Sequence, residues 1–441
     1  MRESFLQTPD FFEVFMKIKV IDKSYREVME KEKQKHKRPI KPNMFFRILM
    51  KLISLPDMKK NGFYCEKVGM ERLGKKEPAL YLMNHSSFID LEIVATAMFP
   101  KPFNIVTSTD AFVGKEWLLR HIGCIPTKKF VHDPSLIRDI MHSLKKLRSN
   151  VVLFPEAGYS FDGKTTTLPE TLGKFVKMLG VPLVMIEANG AFLRDPLYNN
   201  LQVRKTKVSA KMEYLLSPEQ IAKMTDVEIN EVIKKAFSFD NFKRQQEEKI
   251  RIDEPTRADY LERVLYKCPV CKAEGQMLGR GVEITCKKCG KVHILDEYGS
   301  LTSPDGNPSF THIPDWYEWE RECVRQDIVN GTHGFDIPVE ILMAVDNSNL
   351  YRVGEGRLSH SKDGFRLIGC DGELNYEHKP LSSYSINCDF NFYEIGDVIS
   401  FGNHEALYYC IPKENFPVAK ARLAAEELFK IVSCEHHRTN E

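Results

Sequence analysis

The sequence predicts an α/β fold class: a sheet with covering helices, then a small cysteine-paired module and a β-rich C-terminal domain. Three observations carry this. Between about residues 63 and 215, short apolar runs alternate with segments long enough for helices. Four cysteines fall into two C-x2-C pairs between 268 and 289. Beyond about residue 334 the texture changes to short apolar runs broken by Gly-Asp and Asp-Gly turns. At 441 residues the chain is too long for one ordinary core, so two or three domains are expected. Hydrophobic residues at 42% and charged residues at 28% describe a folded chain, and a net charge of +2 makes no case for nucleic acid.

Residues 1–43 read as a polar, basic, helical segment ending in "KEKQKHKRPIKP". From Lys31 to Lys51 there are eight Lys or Arg against one acid, a local cationic patch. "NMFFRILMKLISLP" follows, with Met44, Phe45, Ile48, Leu49, Leu52 and Ile53 at helical spacing. It is too short to span a bilayer; it either lies in a membrane interface beside anionic lipid or packs on the core.

The α/β domain is placed at 44–240. Its strands are "ALYLM", "FNIVTS", "NVVLFP" and "VPLVMIEA"; its helices are "FIDLEIVATAMF", "AFVGKEWLLRHI", "DPSLIRDIMHSLKKLR" and "LPETLGKFVKMLG". Asp133 and Pro134 read as N-cap and first helical residue. "SPEQIAKMTDVEINEVIKKAF" closes the domain as a helix, and the charge-rich, Pro-broken stretch 241–266 reads as a linker. The cysteine module is placed at 267–300, and the β-rich domain, with a closing Ala/Leu-faced helix, at 330–434.

"YLMNHSSFID" (81–90) ends an apolar strand on Asn84-His85 and sets Asp90 one helical turn later. A His at a strand's carboxyl end in an α/β sheet lies where ligands bind. Asp90 can hold the imidazole Nδ1–H and leave Nε2 to take a proton from a hydroxyl. Taken alone, the pattern fits a structural corner, half of a metal site or a general base with its orienting acid.

Three further stretches follow in order: "GCIPTKK" (123–129), "FPEAGYS" (154–160) and "VPLVMI" (181–186). With "NHSSFID" they resemble the motifs of the glycerolipid acyltransferase family, of the lysophosphatidate acyltransferase type, over roughly residues 44–240. The resemblance implies an O-acyltransferase in which His85 is the general base and Asp90 its orienter. An acyl thioester, acyl-CoA or acyl carrier protein, is then the cosubstrate, and a lysophospholipid hydroxyl attacks it directly. It further implies acceptor-binding roles for Asn84, Lys128, Lys129, Glu156, Gly158, Tyr159 and Ser160. The chain departs from the pattern twice. Lys128 and Lys129 stand where an Arg is usual, supplying charge without a bidentate fork. Tyr159 stands where a phosphate-clamping Arg is usual, which admits a non-phosphate acceptor as the alternative.

"CPVC" (Cys268, Cys271) and "CKKCG" (Cys286, Cys289) have the spacing of a four-thiolate zinc ribbon, a closed and therefore structural site. His293 is a spare candidate and reads better as an ordinary strand residue. Zinc ribbons often bind nucleic acid, so a non-catalytic zinc-ribbon binding or scaffold protein is the rival. Against it, Lys272, Lys287, Lys288 and Lys291 are interleaved with Glu274, Glu283, Asp296 and Glu297, and no basic-aromatic stripe emerges.

No secretory signal and no transmembrane run are visible, and the other seven cysteines are scattered. The expectation is a cytoplasmic protein, peripheral on the inner face of a membrane through residues 31–56. Its partners are then a lipid acceptor and an acyl thioester, with acyl carrier protein as one donor.

Overall fold

The computed structural model describes residues 18–32 and 35–439. β1 (Val20–Asp22) is followed by a short helix, Tyr25–Met29, begun by a reciprocal Ser24–Glu27 capping box. The helical segment expected over 1–43 is not formed by residues 30–32 and 35–43, which carry no helix. Pro39 and Pro42 cannot donate to a helix, and a run of like charges repels itself along one. Its cations reach outward instead: Lys31 pairs with Asp346 at 2.9 Å and Lys37 with Glu116 at 2.7 Å. Residues 1–17, 33 and 34 of that segment lie outside the described residues.

The next helix, Met44–Lys60, is capped by Asn43, whose side chain accepts from the Phe46 amide. Phe46, Met50 and Met58 pack inward. Phe45 (66% exposed) and Leu52 (58%) face out with Met44 and Ile48, so the helix has two apolar faces. No described helix is long and apolar enough to cross a membrane.

Seven strands form the α/β sheet: β2 (Tyr64–Val68), β3 (Leu80–Met83), β4 (Phe103–Ser108), β5 (Cys124–Thr127), β6 (Asn150–Leu153), β7 (Leu183–Asn189) and β8 (Ser209–Leu216). Their order is β2-β8-β7-β3-β6-β4-β5, parallel from β7 to β5, with β8 antiparallel to β7. One face is covered by helices Met44–Lys60 and Asp90–Met98. The other is covered by Pro134–Lys145, Leu172–Leu179 and Asp226–Ala236. β3 is wholly apolar and β6 apolar after Asn150, as suits strands buried on both faces, while β4 is buried over Phe103–Val106 and ends on the polar Thr107 and Ser108. The helix expected over 217–237 is two helices, because Thr225 starts a new capping box after Met224.

Residues 268–302 fold into an antiparallel sheet of β9 (Met277–Arg280), β10 (Glu283–Cys286), β11 (Val292–Leu295) and β12 (Leu301–Thr302). Helix Ile313–Val329 leads to a sheet of β13 (Phe335–Ala344), β14 (Leu350–Ser361), β15 (Gly364–Gly369), β16 (Leu374–His378), β17 (Asn387–Phe392), β18 (Gly396–Gly402) and β19 (Leu407–Pro412). Its order is β16-β15-β14-β13-β19-β18-β17, and β1 pairs with β14. Helix Val418–Thr439 covers it with Val418, Ala421, Leu423 and Ala424.

The expected linker 241–266 is no linker. Phe242, Ile252, Leu261, Val264, Leu265 and Tyr266 are buried in one hydrophobic core, spaced among charges that hide them in a composition reading. That core also holds Phe161, Phe192 and Tyr198 of the α/β part, Cys268 and Cys286, and Phe390, Ile399 and Ala421 of the C-terminal part. The three units the sequence separates are thus welded along a shared interior.

Candidate active site

β3 delivers Asn84 and His85 to the carboxyl end of the sheet. Asn84 is buried and spans to β7, donating to the Ala188 carbonyl at 3.0 Å and accepting from its amide at 2.7 Å. Both ends of its amide are thus engaged by the fold, away from substrate. Asp90 opens the next helix. A single oxygen, Oδ2, accepts from His85 Nδ1 at 2.9 Å and from the Ser86 and Ser87 amides at 2.9 and 3.2 Å. This fixes the proton on Nδ1 and leaves the Nε2 edge for a hydrogen-bonding partner.

The loop after β6 grips His85 from both sides of its backbone. Glu156 is 1% exposed; its Oε2 accepts from the His85 amide at 2.9 Å and its Oε1 from the Thr166 amide at 2.7 Å. The Ser160 amide donates to the His85 carbonyl at 3.1 Å. Glu156 thereby positions the histidine. Burial pushes its carboxyl up to about 7, against the pull of the two amides. The Ser160 hydroxyl is buried and donates to the Lys164 carbonyl at 2.6 Å, bracing the turn without facing a ligand.

Two rings stack on the imidazole: Phe154 with centroids 4.2 Å apart and Tyr159 with centroids 4.1 Å apart. Phe88 lies tilted against Tyr159, with ring centroids 5.5 Å apart. The His85 side chain keeps 17% exposure. Burial lowers its pKa, Asp90 opposes the shift, and the nearby Lys129 charge reinforces it. The ring is therefore neutral near pH 7, the state a proton acceptor needs.

Lys129 lies 6.0 Å from the Tyr159 ring centroid and donates to Asn387 Oδ1 at 3.2 Å. Lys128 is turned away and donates to the His404 carbonyl at 2.6 Å, so the two lysines do not act together. Gly158 faces Asn387, whose Oδ1 would be 3.8 Å from an added Cβ. The structure thus brings His85, Asp90, Glu156, Tyr159, Lys129 and Gly158 into one site, and sends Asn84, Lys128 and Ser160 to other tasks. Sequence reasoning missed Phe154 as a stacking ring, though it opens a quoted motif. It also missed Asn387 and Arg422, which reach Lys129 and the Tyr159 carbonyl through contacts across the chain that no local pattern announces.

At the second site, the thiol sulfurs of Cys268, Cys271, Cys286 and Cys289 lie within 4.8 Å of one another. Cys268 and Cys289 are 3.6 Å apart, and Cys271 and Cys286 are 3.7 Å apart. Sulfurs about 2.3 Å from a tetrahedral ion stand about 3.8 Å apart, close to the two pair distances, so this donor set suits a tetrahedral metal. Amides of Val270 and Cys271 point at the Cys268 sulfur, and those of Lys288 and Cys289 at Cys286, as thiolates require. His293 is fully buried on β11; its Nε2 accepts from the Ser309 amide at 3.1 Å, and it takes no part in the cluster.

The acyltransferase family pattern matches residues 65–186, a span that contains His85, Asp90, Lys129, Glu156 and Tyr159. A chloroplastic 1-acyl-sn-glycerol-3-phosphate acyltransferase, LPAT1 of Arabidopsis thaliana, is 30% identical over 129 residues, which are 28% of this chain. The chain spans 35% of that relative's length. The crystal structure of the 1-acyl-sn-glycerophosphate acyltransferase PlsC from Thermotoga maritima aligns with 15% identity and a TM-score of 0.35, covering 43% of this chain and 76% of that one. The match over residues 65–186, which hold the His85 site, is thus to the acyltransferase family, and there the chain is similar to a 1-acyl-sn-glycerol-3-phosphate acyltransferase.

Proposed function

We propose that the chain transfers a fatty acyl group from a thioester, acyl-CoA or acyl carrier protein, to the hydroxyl of a lysophospholipid-type acceptor. The observation that carries this is the Asp90–His85 pair: an imidazole whose Nδ1 meets a buried carboxylate at 2.9 Å, at the carboxyl end of β3. His85 Nε2 takes the acceptor's proton as its oxygen attacks the thioester carbonyl. The tetrahedral intermediate then expels the thiolate, and the imidazolium returns its proton to sulfur. Asp90 stabilises the transient imidazolium, and Lys129 supplies positive charge beside the site. The four cysteines hold zinc as a structural ion, since four thiolates leave no open position for catalysis.

The outer face of helix Met44–Lys60 meets the lipid. Phe45 is joined through the Phe46 ring to Trp117, itself 67% exposed, and Arg47 and Lys51 on the same helix supply positive charge for anionic headgroups. The reading is tested by incubating purified full-length protein with acyl-CoA or acyl carrier protein donors and a panel of lyso-acceptors, with products identified by mass spectrometry. A new diacylated lipid supports it. No product from any pairing would refute it.

A further inference from the structure

The loop after β6 holds His85, and the C-terminal part of the chain holds the loop. Glu156 and Ser160 grip the His85 backbone and the Tyr159 ring stacks on its imidazole, so the placement of residues 155–160 sets where Nε2 points. Regular structure does not fix that placement, because no helix or strand lies between β6 and helix Leu172–Leu179. Within the loop Ala157 takes a φ of 54°, a left-handed conformation that is costly for a residue with a Cβ and persists only where its surroundings impose it.

Those surroundings come from far along the chain. Arg422, on helix Val418–Thr439, donates from Nη1 to the Tyr159 carbonyl at 2.9 Å. Its guanidinium also lies over the Phe161 ring, 4.8 Å from the centroid. Its Nε donates to Glu426 at 3.2 Å, one turn along the same helix. Glu426 is 1% exposed and engaged through both oxygens. Oε1 also accepts from the Ser385 hydroxyl at 2.8 Å, while Oε2 accepts from Arg321 at 2.7 Å and from the Thr167 hydroxyl at 3.2 Å. Tyr384, just before β17, donates to the Pro155 carbonyl at 3.3 Å. The loop is thus pinned at Pro155, Tyr159, Phe161 and Thr167, on both sides of Ala157. A planar guanidinium fixes direction as well as distance. Behind it lies the core that joins Phe161 to Phe390 and Ala421, too closely packed to let helix and loop drift apart.

Resting on the acyl-transfer reading above, we propose that Arg422, locked by Glu426, is a positioning residue for His85. It holds the Tyr159 carbonyl so that the Tyr159 ring stays on the imidazole and Glu156 stays on the His85 amide. The C-terminal helix thereby completes the active site from behind, without touching the reacting atoms. With the fork removed, the turn at Ala157 can relax, the ring slides off the imidazole and water enters beside it. A better hydrated imidazole keeps its proton to higher pH. Asp90 and Lys129, the charges that bear on His85, stay in place.

The test compares full-length wild type with Arg422→Lys, which keeps the charge that Glu426 needs and loses the planar fork. Acyl transfer is measured across pH with the best donor and acceptor, and the His85 titration is followed by NMR on protein with labelled histidine, assigned with His85→Ala. In Arg422→Lys, kcat falls by about tenfold or more with KM changed little, as expected when a reacting group is misplaced. The acid limb of kcat and the His85 titration both move to higher pH, which a loss of stability alone would not cause. Unmoved kcat, or a lower kcat with the limb and the titration unmoved, overturns the proposal. If Arg422→Lys does not fold, the double variant Tyr384→Phe/Thr167→Val removes two of the other anchors while filling nearly the same space. The same shifts are expected from it, and their absence is equally fatal. Inactivity of the wild type with every donor and acceptor would refute the acyl-transfer reading, whereas an active wild type with unmoved variants refutes this inference alone.

Discussion

Replacing Asp90 by Asn is the sharpest perturbation of the proposed base. In the fold, Asp90 Oδ2 collects three donors: the His85 ring and the Ser86 and Ser87 amides. An asparagine carbonyl can accept from the same three, so the loop keeps its geometry and the protein its fold. What disappears is the negative charge beside the imidazolium that forms as His85 takes a proton. Two unit charges about 4 Å apart interact by about 4 kcal/mol at an effective dielectric constant of 20. Lost from the transition state alone, that energy corresponds to roughly a thousandfold fall in kcat. KM should change little, because the carboxylate does not touch substrate. The assay is steady-state acyl transfer with the donor and acceptor that serve the wild type best, beside a thermal melt to show that folding survives. Activity within about threefold of wild type in a folded Asp90→Asn protein would refute the assignment of Asp90 as the group that stabilises a His85 imidazolium.

Three further outcomes follow from the same structure. The Lys129 charge lowers the His85 pKa, so Lys129→Met should raise it. Activity requires the neutral ring and rises with pH through that pKa, so the acid limb of kcat should move to higher pH; an unmoved limb counts against His85 as the base. Cys286→Ser should remove bound zinc, measured by elemental analysis, and lower the melting temperature of the whole protein, since Cys286 lies in the shared core; a zinc content near one per chain would contradict the four-cysteine site. Phe45→Glu, at a side chain 66% exposed, should weaken flotation with anionic vesicles by about tenfold while leaving the melt unchanged; unchanged flotation removes the outer helix face from the lipid contact.

The sheet was readable because β3, β4, β6 and β7 are buried strands whose apolar runs stand out between amphipathic helices. β2 and β8 lie toward one edge, with polar residues interleaved, and gave weaker signals. His85 and Asp90 were legible through a short, ordered spacing, and Glu156 through its place in the same motif set. The role of Glu156 was not, because it depends on which backbone amides the loop brings to each oxygen. Asn84, Lys128 and Ser160 show the converse: motif position named them, yet their polar atoms are taken by Ala188, His404 and Lys164. The linker reading of 241–266 failed because buried residues such as Leu261 and Tyr266 are too sparse to outweigh the charges around them in a composition count. The contact of Asn387 with Lys129 was invisible for a simpler reason. The two residues lie 258 positions apart, and only the fold closes that distance.

The central claim is that His85 activates a hydroxyl for direct attack on a thioester. Its most direct test follows thiol release and acylated lipid together, for the wild type and for His85→Ala, with the same donor and acceptor. The account predicts equal yields of free thiol and acylated lipid from the wild type and neither product above background from a folded His85→Ala protein. Acylated lipid formed by His85→Ala at a rate near wild type would contradict it.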